Sequence, residues 1–357
     1  MRGKKELFML ITGFVLFIFD LVADIVVAVR YGLKGERWWF GLTFVFIIVP
    51  LFIVNILATF QAIEHETSED LSICLCLVCS SIFVRYIEEF KYWKQTHWDN
   101  TPCRDNYKEC NCPDCIQYCE GITKSNKSTC SFAWVHYVET LTESTPQWCL
   151  QIYIMLRQWD FPWLTVLSAV ISLLSLAWSI TALEKASANK NSHNFTLPAT
   201  VFFTSELFSL LSRLFAIVAF GYVFKEHVFT ALAVHCLTVH VVSWLNWKID
   251  SAAESKCELV RFVFVSIVFS FPFLLHVPDK LTKGFSSRRS VHYALYSLIS
   301  VENVLFAILA VTIPTPDAKH MSVLRLIVLS LVIIGVVLGT IFHIVYDKLL
   351  KPEEPDE

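Results

Sequence analysis

Long apolar runs separated by short polar stretches occupy nearly the whole chain of 357 residues. The runs are continuous rather than alternating, which is typical of membrane-embedded helices and not of a β-barrel. The pattern predicts an all-α polytopic membrane protein. Its ten apolar segments are 6–31, 39–62, 71–90, 132–156, 162–183, 200–221, 227–247, 259–277, 291–313 and 321–346.

Two of the ten segments are too short to cross a bilayer in the usual way. The charge-free run of the third, 71–84, has fourteen residues, and that of the eighth, 262–275, has fourteen and contains Pro272. A crossing needs about 20 apolar residues, whereas about 10–14 are typical of re-entrant or interfacial pieces. We therefore predict eight transmembrane helices plus two re-entrant (half-inserted) helices.

The distribution of positive charge favours the same arrangement. With two re-entrant segments, nineteen Lys and Arg residues of the loops and termini lie on the cytosolic side and six outside; with ten crossings the counts are eleven and fourteen. Cytosolic loops normally carry the excess of Lys and Arg. We also expect the first segment to be retained, because its apolar run continues past Asp20 without a cleavage motif. Both termini, including the short tail 347–357, are then cytosolic.

The order span, span, re-entrant segment, span, span occurs twice along the chain. We therefore predict two structural repeats, 1–186 and 200–346, separated by a polar linker. Both repeats have the same orientation because each contains an even number of crossings. Short segments at matching positions of two repeats are a pointer to the working site of a membrane transporter.

Charged and polar side chains interrupt several of these segments. On a helix of 100° per residue, five polar residues of the fourth segment share one arc of about 100°, and Gln151 lies just beyond its edge. Pro146 frees a backbone carbonyl one turn earlier. The five residues are His136, Glu139, Thr140, Glu143 and Gln147. Further buried polar candidates are Asp20 and Asp24 on the first segment, Arg85 on the third, Glu206, Ser209 and Arg213 on the sixth, and Glu302 and Asn303 on the ninth.

Carboxylates at this depth need partners. Each charge at the bilayer centre costs about 2.5–3.5 kcal/mol, so four carboxylates facing lipid would cost on the order of 10 kcal/mol. They must therefore face one another, a cation such as Arg85 or Arg213, or water. One interpretation is a set of ion pairs that hold the bundle together. The other, which we predict, is a polar track for an ion, a polar solute or a lipid headgroup. Its candidate residues are Asp20, Asp24, Arg85, His136, Glu139, Glu143, Gln147, Gln151, Glu206 and Arg213.

Several other functions find no support in the sequence. The net charge is only −3 and no strongly basic face is present, so we do not predict binding to nucleic acid. The chain has no G-x-x-x-x-G-K-[ST] motif for ATP, and its segments contain no H-E-x-x-H or Ser-His-Asp constellation. We therefore predict that the protein is not an enzyme.

A cysteine-rich loop, 99–130, precedes the fourth segment. Outside the cell its six cysteines would suggest three disulfides, whereas in the reducing cytosol C-x-C-x2-C-x3-C favours a thiolate metal site. The predicted topology places the loop inside, so a zinc site is one hypothesis; a disulfide-stapled loop and unpaired thiols are the alternatives. The sequons at Asn126 and Asn194 lie inside as well and should not be glycosylated. The six cysteines are Cys103, Cys110, Cys112, Cys115, Cys119 and Cys130.

Several motifs resemble one family of membrane proteins, the XK-related family. ETLTESTPQ resembles its ET-x2-E-x2-PQ signature, and FDLVADIVVAVRYGLKG resembles its first span with the D-x3-D pair, here Asp20 and Asp24. FVRYIEEFK and CELVRFVFVSIVFSFPFLL are similar to the family's two re-entrant helices, and IVYDKLLKP to its closing span. The resemblance covers nearly all of residues 8–352.

The resemblance carries expectations of its own. It implies two repeats of four spans plus one re-entrant helix and cytosolic termini. It also implies a plasma-membrane phospholipid scramblase that exposes phosphatidylserine in apoptosis without ATP or a required cofactor. The family's hydrophilic track matches Asp20, Asp24, Glu139, Glu143 and Gln147. Family members pair with single-span glycoproteins or lipid-transfer proteins, so both are candidate partners beside membrane phospholipids.

The tail departs from the family pattern. Several members are activated by caspase cleavage, but EEPDE offers only Asp356 after a proline, so no caspase site is predicted here. Two alternative functions remain. The protein could be a membrane adaptor or scaffold that moves nothing, with its buried charges as structural pairs, or an ion or solute transporter.

Overall fold

The computed structural model describes residues 2–64, 81–97, 110, 112–190, 198–250, 289–313 and 321–350. These residues are almost entirely helical and include no strand. The helices, in chain order, are α1 (Arg2–Leu33), α2 (Arg37–Glu64), α3 (Ser81–His97), α4 (Pro113–Thr142), α5 (Ser144–Gln158), α6 (Trp163–Lys190), α7 (Pro198–Phe224), α8 (His227–Asp250), α9 (Arg289–Thr312), α10 (Met321–Val345) and a π-helical turn (Tyr346–Leu350).

The all-helical membrane class predicted from the sequence is confirmed. Among the described residues, six stretches are long and apolar enough to cross a membrane. They are Leu7–Leu33, Arg37–Leu57, Trp163–Ala188, Pro198–Phe224, Tyr293–Thr312 and Arg325–Leu350. The count of eight spans plus two re-entrant helices stays a prediction, because segment 259–277 and the first part of segment 71–90 lie outside the described residues.

The fourth apolar segment is two helices rather than one. Helix α4 ends at Thr142 and α5 begins at Ser144, with Glu143 between them at φ −99° and ψ −68°. Pro146 explains the break, because it has no N–H to donate to the carbonyl of Thr142 and its ring crowds that carbonyl. Helix α4 also begins much earlier than the apolar run, at Pro113, so residues 113–130 of the predicted cysteine-rich loop are helical.

The helices divide into two compact units. The first unit contains α1, α2, α3, α4 and α6, together with the start of α5 up to Trp148. In this unit α6 packs on α4 and α1, α2 packs on α1 and α4, and α3 lies against α4 and α1. A buried apolar cluster joins α1, α2, α3 and α4 and consists of Phe17, Val54, Ile82, Tyr86, Phe132 and Val135.

The second unit contains α7, α8, α9 and α10, together with residues 149–162. Its most extensive interface joins α7 and α10. Two glycines of α10, Gly335 and Gly339, make this close approach possible, because a Cβ on Gly335 would lie 2.8 Å from the carbonyl oxygen of Phe208. Serines of α7 then reach the facing backbone: Ser205 Oγ donates to the Gly339 carbonyl at 3.1 Å.

The chain changes from one unit to the other between Trp148 and Cys149, between Pro162 and Trp163, and between Thr196 and Leu197. Residues 149–162, which the sequence analysis assigns to the first repeat, are grouped with the second unit. The two structural repeats stay a prediction, because a division into compact units does not establish an internal symmetry.

Candidate functional site

Four buried carboxylates lie on neighbouring helices of the first unit. We call Asp20 and Asp24 of α1, Glu139 of α4 and Glu143 at the break between α4 and α5 the acidic cluster. Each of these side chains is at most 6% exposed. The acidic groups therefore face the interior of the unit, where their partners determine what the cluster can do.

The aspartates of α1 are held by hydroxyl groups. Ser172 Oγ donates to Asp20 Oδ1 at 2.5 Å, and Ser144 Oγ donates to Asp20 Oδ2 at 2.6 Å. One turn further along α1, Asp24 Oδ1 accepts a hydrogen bond of 3.0 Å from Ser168. These neutral donors stabilise the carboxylates without cancelling their charge.

The serines belong to a stripe along α6 that the sequence analysis missed. We call Ser168, Ser172, Ser175 and Ser179 the serine stripe; all four are 0–1% exposed. Their spacing of four, three and four residues places them on one helix face. Serine lowers the hydropathy of a segment only slightly, so the segment reads as an ordinary span. The signal that would have revealed the stripe is this period within SAVISLLSLAWS.

The stripe also contacts α4, where the predicted polar arc lies. Thr140 and Ser179 share a hydrogen bond of 2.6 Å between their hydroxyl oxygens. His136 Nδ1 lies 2.6 Å from Glu139 Oε2. The His136 Nε2 atom and the Tyr86 hydroxyl are buried and have no hydrogen-bond partner among the described residues. The polar arc of α4 therefore faces the interior of the unit and keeps some hydrogen-bonding capacity.

Polar groups with unused capacity continue beyond Glu143. Gln147 Nε2 donates to the Thr43 carbonyl of α2 at 3.2 Å. Its Oε1 atom and the hydroxyls of Thr43 and Thr145 are buried without a hydrogen-bond partner among the described residues. A buried polar atom left without a partner costs about 1–3 kcal/mol, so such a group in a native protein calls for an explanation such as bound water.

Arg85 does not neutralise the acidic cluster. Its Nη1 atom pairs with Glu88 Oε2 at 2.7 Å, and its Nη2 atom lies 4.0 Å from Glu89 Oε1. Glu89 also accepts hydrogen bonds from Ser128 at 2.6 Å and Thr129 at 2.7 Å. Burial raises the pKa of the Glu89 carboxyl, while these hydrogen bonds and the Arg85 charge partly offset the rise. This ionic group ties α3 to α4.

Among the described residues, no lysine or arginine forms an ion pair with Asp20, Glu139 or Glu143. In the described part of the chain, the basic group within ion-pair distance of one of the three is the imidazole of His136, which is charged only when protonated. In contrast to a closed ion pair, the acidic cluster presents carboxyl oxygens that can accept hydrogen bonds. In the serine stripe, Ser168 and Ser172 donate to the aspartates, Ser179 donates to the Leu176 carbonyl, and Ser175 Oγ has no hydrogen-bond partner among the described residues.

The other three predicted site residues, Gln151, Glu206 and Arg213, belong to the second unit. All three are buried. Arg213 Nη1 donates to Glu302 Oε2 and to Asn303 Oδ1, each at 3.0 Å. Glu302 Oε2 also lies 2.7 Å from His235 Nδ1. The buried guanidinium of Arg213 is thus paired with Glu302, whose side chain is 18% exposed.

Three cysteines meet at the start of α4. The sulfur atoms of Cys110, Cys112 and Cys115 lie within 4.8 Å of one another. Cys119 and Cys130 lie further along α4, and both are half-buried. Cys103 lies outside the described residues. Three of the six predicted cysteines thus form a cluster of a size that suits a metal ion.

Comparisons with known proteins agree over nearly the full length. The family model with the description XK-related protein matches residues 8–352. The protein named XK-related protein 9 of Tetraodon nigroviridis is 21% identical to this chain, over 96% of this chain and 89% of that protein.

Proposed function

The chain belongs to the XK-related family, and from this premise we propose that it is a phospholipid scramblase. The protein moves phospholipids in both directions between the leaflets of the plasma membrane, without ATP and without chemical conversion. Its termini are cytosolic, and its physiological output is phosphatidylserine exposure linked to apoptosis. Transport of this kind requires no cofactor.

The observation that supports this proposal most is the pairing of the acidic cluster with hydroxyls. Asp20 is held by Ser172 and Ser144 rather than by a lysine or arginine. A carboxylate that keeps its negative charge at membrane depth is costly unless water or a cationic group is near. A lipid headgroup carrying an ammonium group supplies such a partner during its passage.

The path that we propose follows the interface of α1, α4 and α6. The ammonium end of a headgroup binds the acidic cluster, and its phosphate accepts hydrogen bonds from the serine stripe, while the acyl chains stay in the hydrocarbon. Because these side chains are buried, α1 and α6 must separate to admit a headgroup. The hydrogen bonds from Ser168 and Ser172 to α1 are the contacts that such an opening breaks.

Reconstitution tests the function directly. The purified chain is placed in liposomes that contain a fluorescent phospholipid, and a membrane-impermeant reductant then quenches the outer leaflet. A scramblase makes the inner-leaflet lipid accessible without ATP, so quenching proceeds beyond the level of protein-free liposomes. Quenching at the protein-free level, under reducing and oxidising conditions and after limited proteolysis, overturns the proposal.

A second candidate function rests on the ion pair of the second unit. In a membrane adaptor or scaffold, buried charges only hold helices together, as Arg213 and Glu302 do. Its binding partners would be a single-span glycoprotein or a lipid-transfer protein. This function predicts that removal of one charge of a structural pair destabilises the fold, that a charge-swapped double variant restores it, and that the wild-type protein transfers no lipid. Conductance or solute uptake by the reconstituted protein would instead indicate an ion or solute transporter.

A further inference from the structure

The start of α4 carries chemistry that lipid transport does not use. Cys110, Cys112 and Cys115 bring three sulfur atoms within 4.8 Å of one another. We propose that these three thiolates, with Cys119 as the fourth ligand, bind a structural zinc ion.

The distances suit a shared ion. Zinc–sulfur bonds are about 2.3 Å long and tetrahedral, which places two sulfur ligands roughly 3.8 Å apart. Sulfurs within 4.8 Å of one another reach this separation by small side-chain rotations. A structural zinc site is usually four-coordinate and takes its ligands as thiolates or imidazoles.

The local fold explains why three thiols converge here. Cys112 is the N-cap of α4 and makes no side-chain capping hydrogen bond, and Pro113 starts the helix. Cys115, three residues after Cys112, lies in the first turn on the same side. Thiolates are stabilised at a helix N-terminus, since the first backbone N–H groups and the helix dipole favour negative charge there.

Burial separates this group from a set of ordinary surface thiols. Cys115 is 0% exposed, although its neighbour Ile116 is 49% exposed. The chain thus buries a thiol at a helix start and leaves the adjacent aliphatic side chain at the surface. A metal ion that gathers the thiolates gives this arrangement a physical reason.

Cys119 is not one of the three clustered cysteines, and its position in α4 makes it the candidate for the fourth ligand. It follows Cys115 by four residues in α4, so the two share one face of the helix, and it is half-buried. The complete ligand pattern is C-x-C-x2-C-x3-C. Four thiolates leave no open position for a substrate, so the ion is structural. It would fix the start of the helix whose residues Ser128 and Thr129 hold Glu89 of α3.

Metal content tests this inference. The full-length protein is purified in detergent with a reductant and without chelators. Its zinc content is then measured by inductively coupled plasma mass spectrometry. We expect zinc in equal molar amount to the chain for the wild type and for the control Cys236→Ser, a half-buried cysteine of α8. We expect loss of zinc from Cys112→Ser and from Cys115→Ser.

Cobalt substitution covers the case in which a variant does not fold. The wild-type protein is stripped with a chelator and titrated with Co²⁺, and a thiolate-to-cobalt charge-transfer band that zinc abolishes supports the site. If stripped wild-type protein binds neither ion, the proposal is wrong. A disulfide among these cysteines, found by peptide mass spectrometry of the protein from its native membrane, overturns it as well.

Discussion

Two buried charges, Arg213 in the second unit and Asp20 in the first, differ in the partners that hold them. In the second unit the guanidinium of Arg213 meets the carboxylate of Glu302 at 3.0 Å, and Asn303 accepts a second hydrogen bond. In the first unit the carboxylate of Asp20 meets two serine hydroxyls. One arrangement pairs the charge with its opposite, and the other only surrounds it with neutral donors.

We call the ion pair of Arg213 and Glu302 the brace. The two charges of a buried ion pair stabilise each other. Removal of one partner leaves the other as an unpaired buried charge, which destabilises the fold. An ionised carboxylate that is bound only by hydroxyl donors has an uncompensated negative charge. Such a charge attracts a cation, for example an ammonium group. Arg213 is therefore paired with a carboxylate, whereas among the described residues Asp20 is bound by two hydroxyl groups and by no lysine or arginine.

The helix interfaces show the same contrast. Helix α10 approaches α7 so closely that only glycine fits at position 335. Helices α1 and α6 instead meet through serine–aspartate hydrogen bonds. Contacts of this second kind can be exchanged for contacts with water or a headgroup, whereas glycine-mediated backbone packing cannot.

The largest expected effect comes from breaking the brace. Arg213→Leu removes the guanidinium that pairs with Glu302, whose carboxylate also contacts His235. The change should lower the free energy of unfolding by about 3–5 kcal/mol. Thermal unfolding in detergent measures the loss. The double variant Arg213→Leu with Glu302→Leu removes the orphaned carboxylate and should recover most of the stability. Equal stability of the single variant and the wild type would show that this ion pair does not stabilise the fold.

The next effect concerns the close helix approach. Gly335→Val forces side-chain atoms against the carbonyl of Phe208 and the Ser212 side chain, and should cost about 3 kcal/mol by overpacking. Gly41→Val is the matched control, because a Cβ on Gly41 meets no atom within 4 Å. A temperature of unfolding that falls equally for both variants would show that the α7–α10 interface is not special.

A smaller effect should distinguish two serines of one stripe. Ser172→Ala removes a donor to Asp20 and should cost about 2 kcal/mol. Ser175→Ala removes a hydroxyl that has no hydrogen-bond partner among the described residues, so its stability should match or exceed the wild type. Both side chains are 1% exposed, which makes the comparison fair. Equal destabilisation by both changes would mean that the hydroxyls of the stripe act only through packing.

Much of the fold was predictable because apolar length determines where membrane helices lie. The break near Glu143 follows from Pro146, and the burial of Glu139 and Glu143 follows from the cost of charge in lipid. The sequence did not show which residue of another helix each polar side chain contacts. An arc on α4 shows which residues share a face, but not that Ser172 of α6 faces Asp20.

The observed partners of Arg85 differ from those that the sequence suggested. Arg85 was a candidate partner of the membrane carboxylates, yet it pairs with Glu88 and Glu89, its own neighbours one turn along α3. Local i, i+3 and i, i+4 pairs were readable from FVRYIEEFK. The serine stripe was missed because serine changes hydropathy little, so a polar face on α6 left no mark in the apolar pattern.

Lipid transfer by Glu143→Gln tests the central claim most directly. The variant keeps the shape of the side chain and replaces a carboxyl group of the acidic cluster by an amide. In liposomes with a fluorescent phospholipid, we expect a folded Glu143→Gln protein to transfer lipid severalfold more slowly than the wild type. The Arg213→Leu and Glu302→Leu double variant should retain the wild-type rate. A wild-type rate for Glu143→Gln, together with a slow rate for the double variant, would contradict the assignment of the path to the first unit.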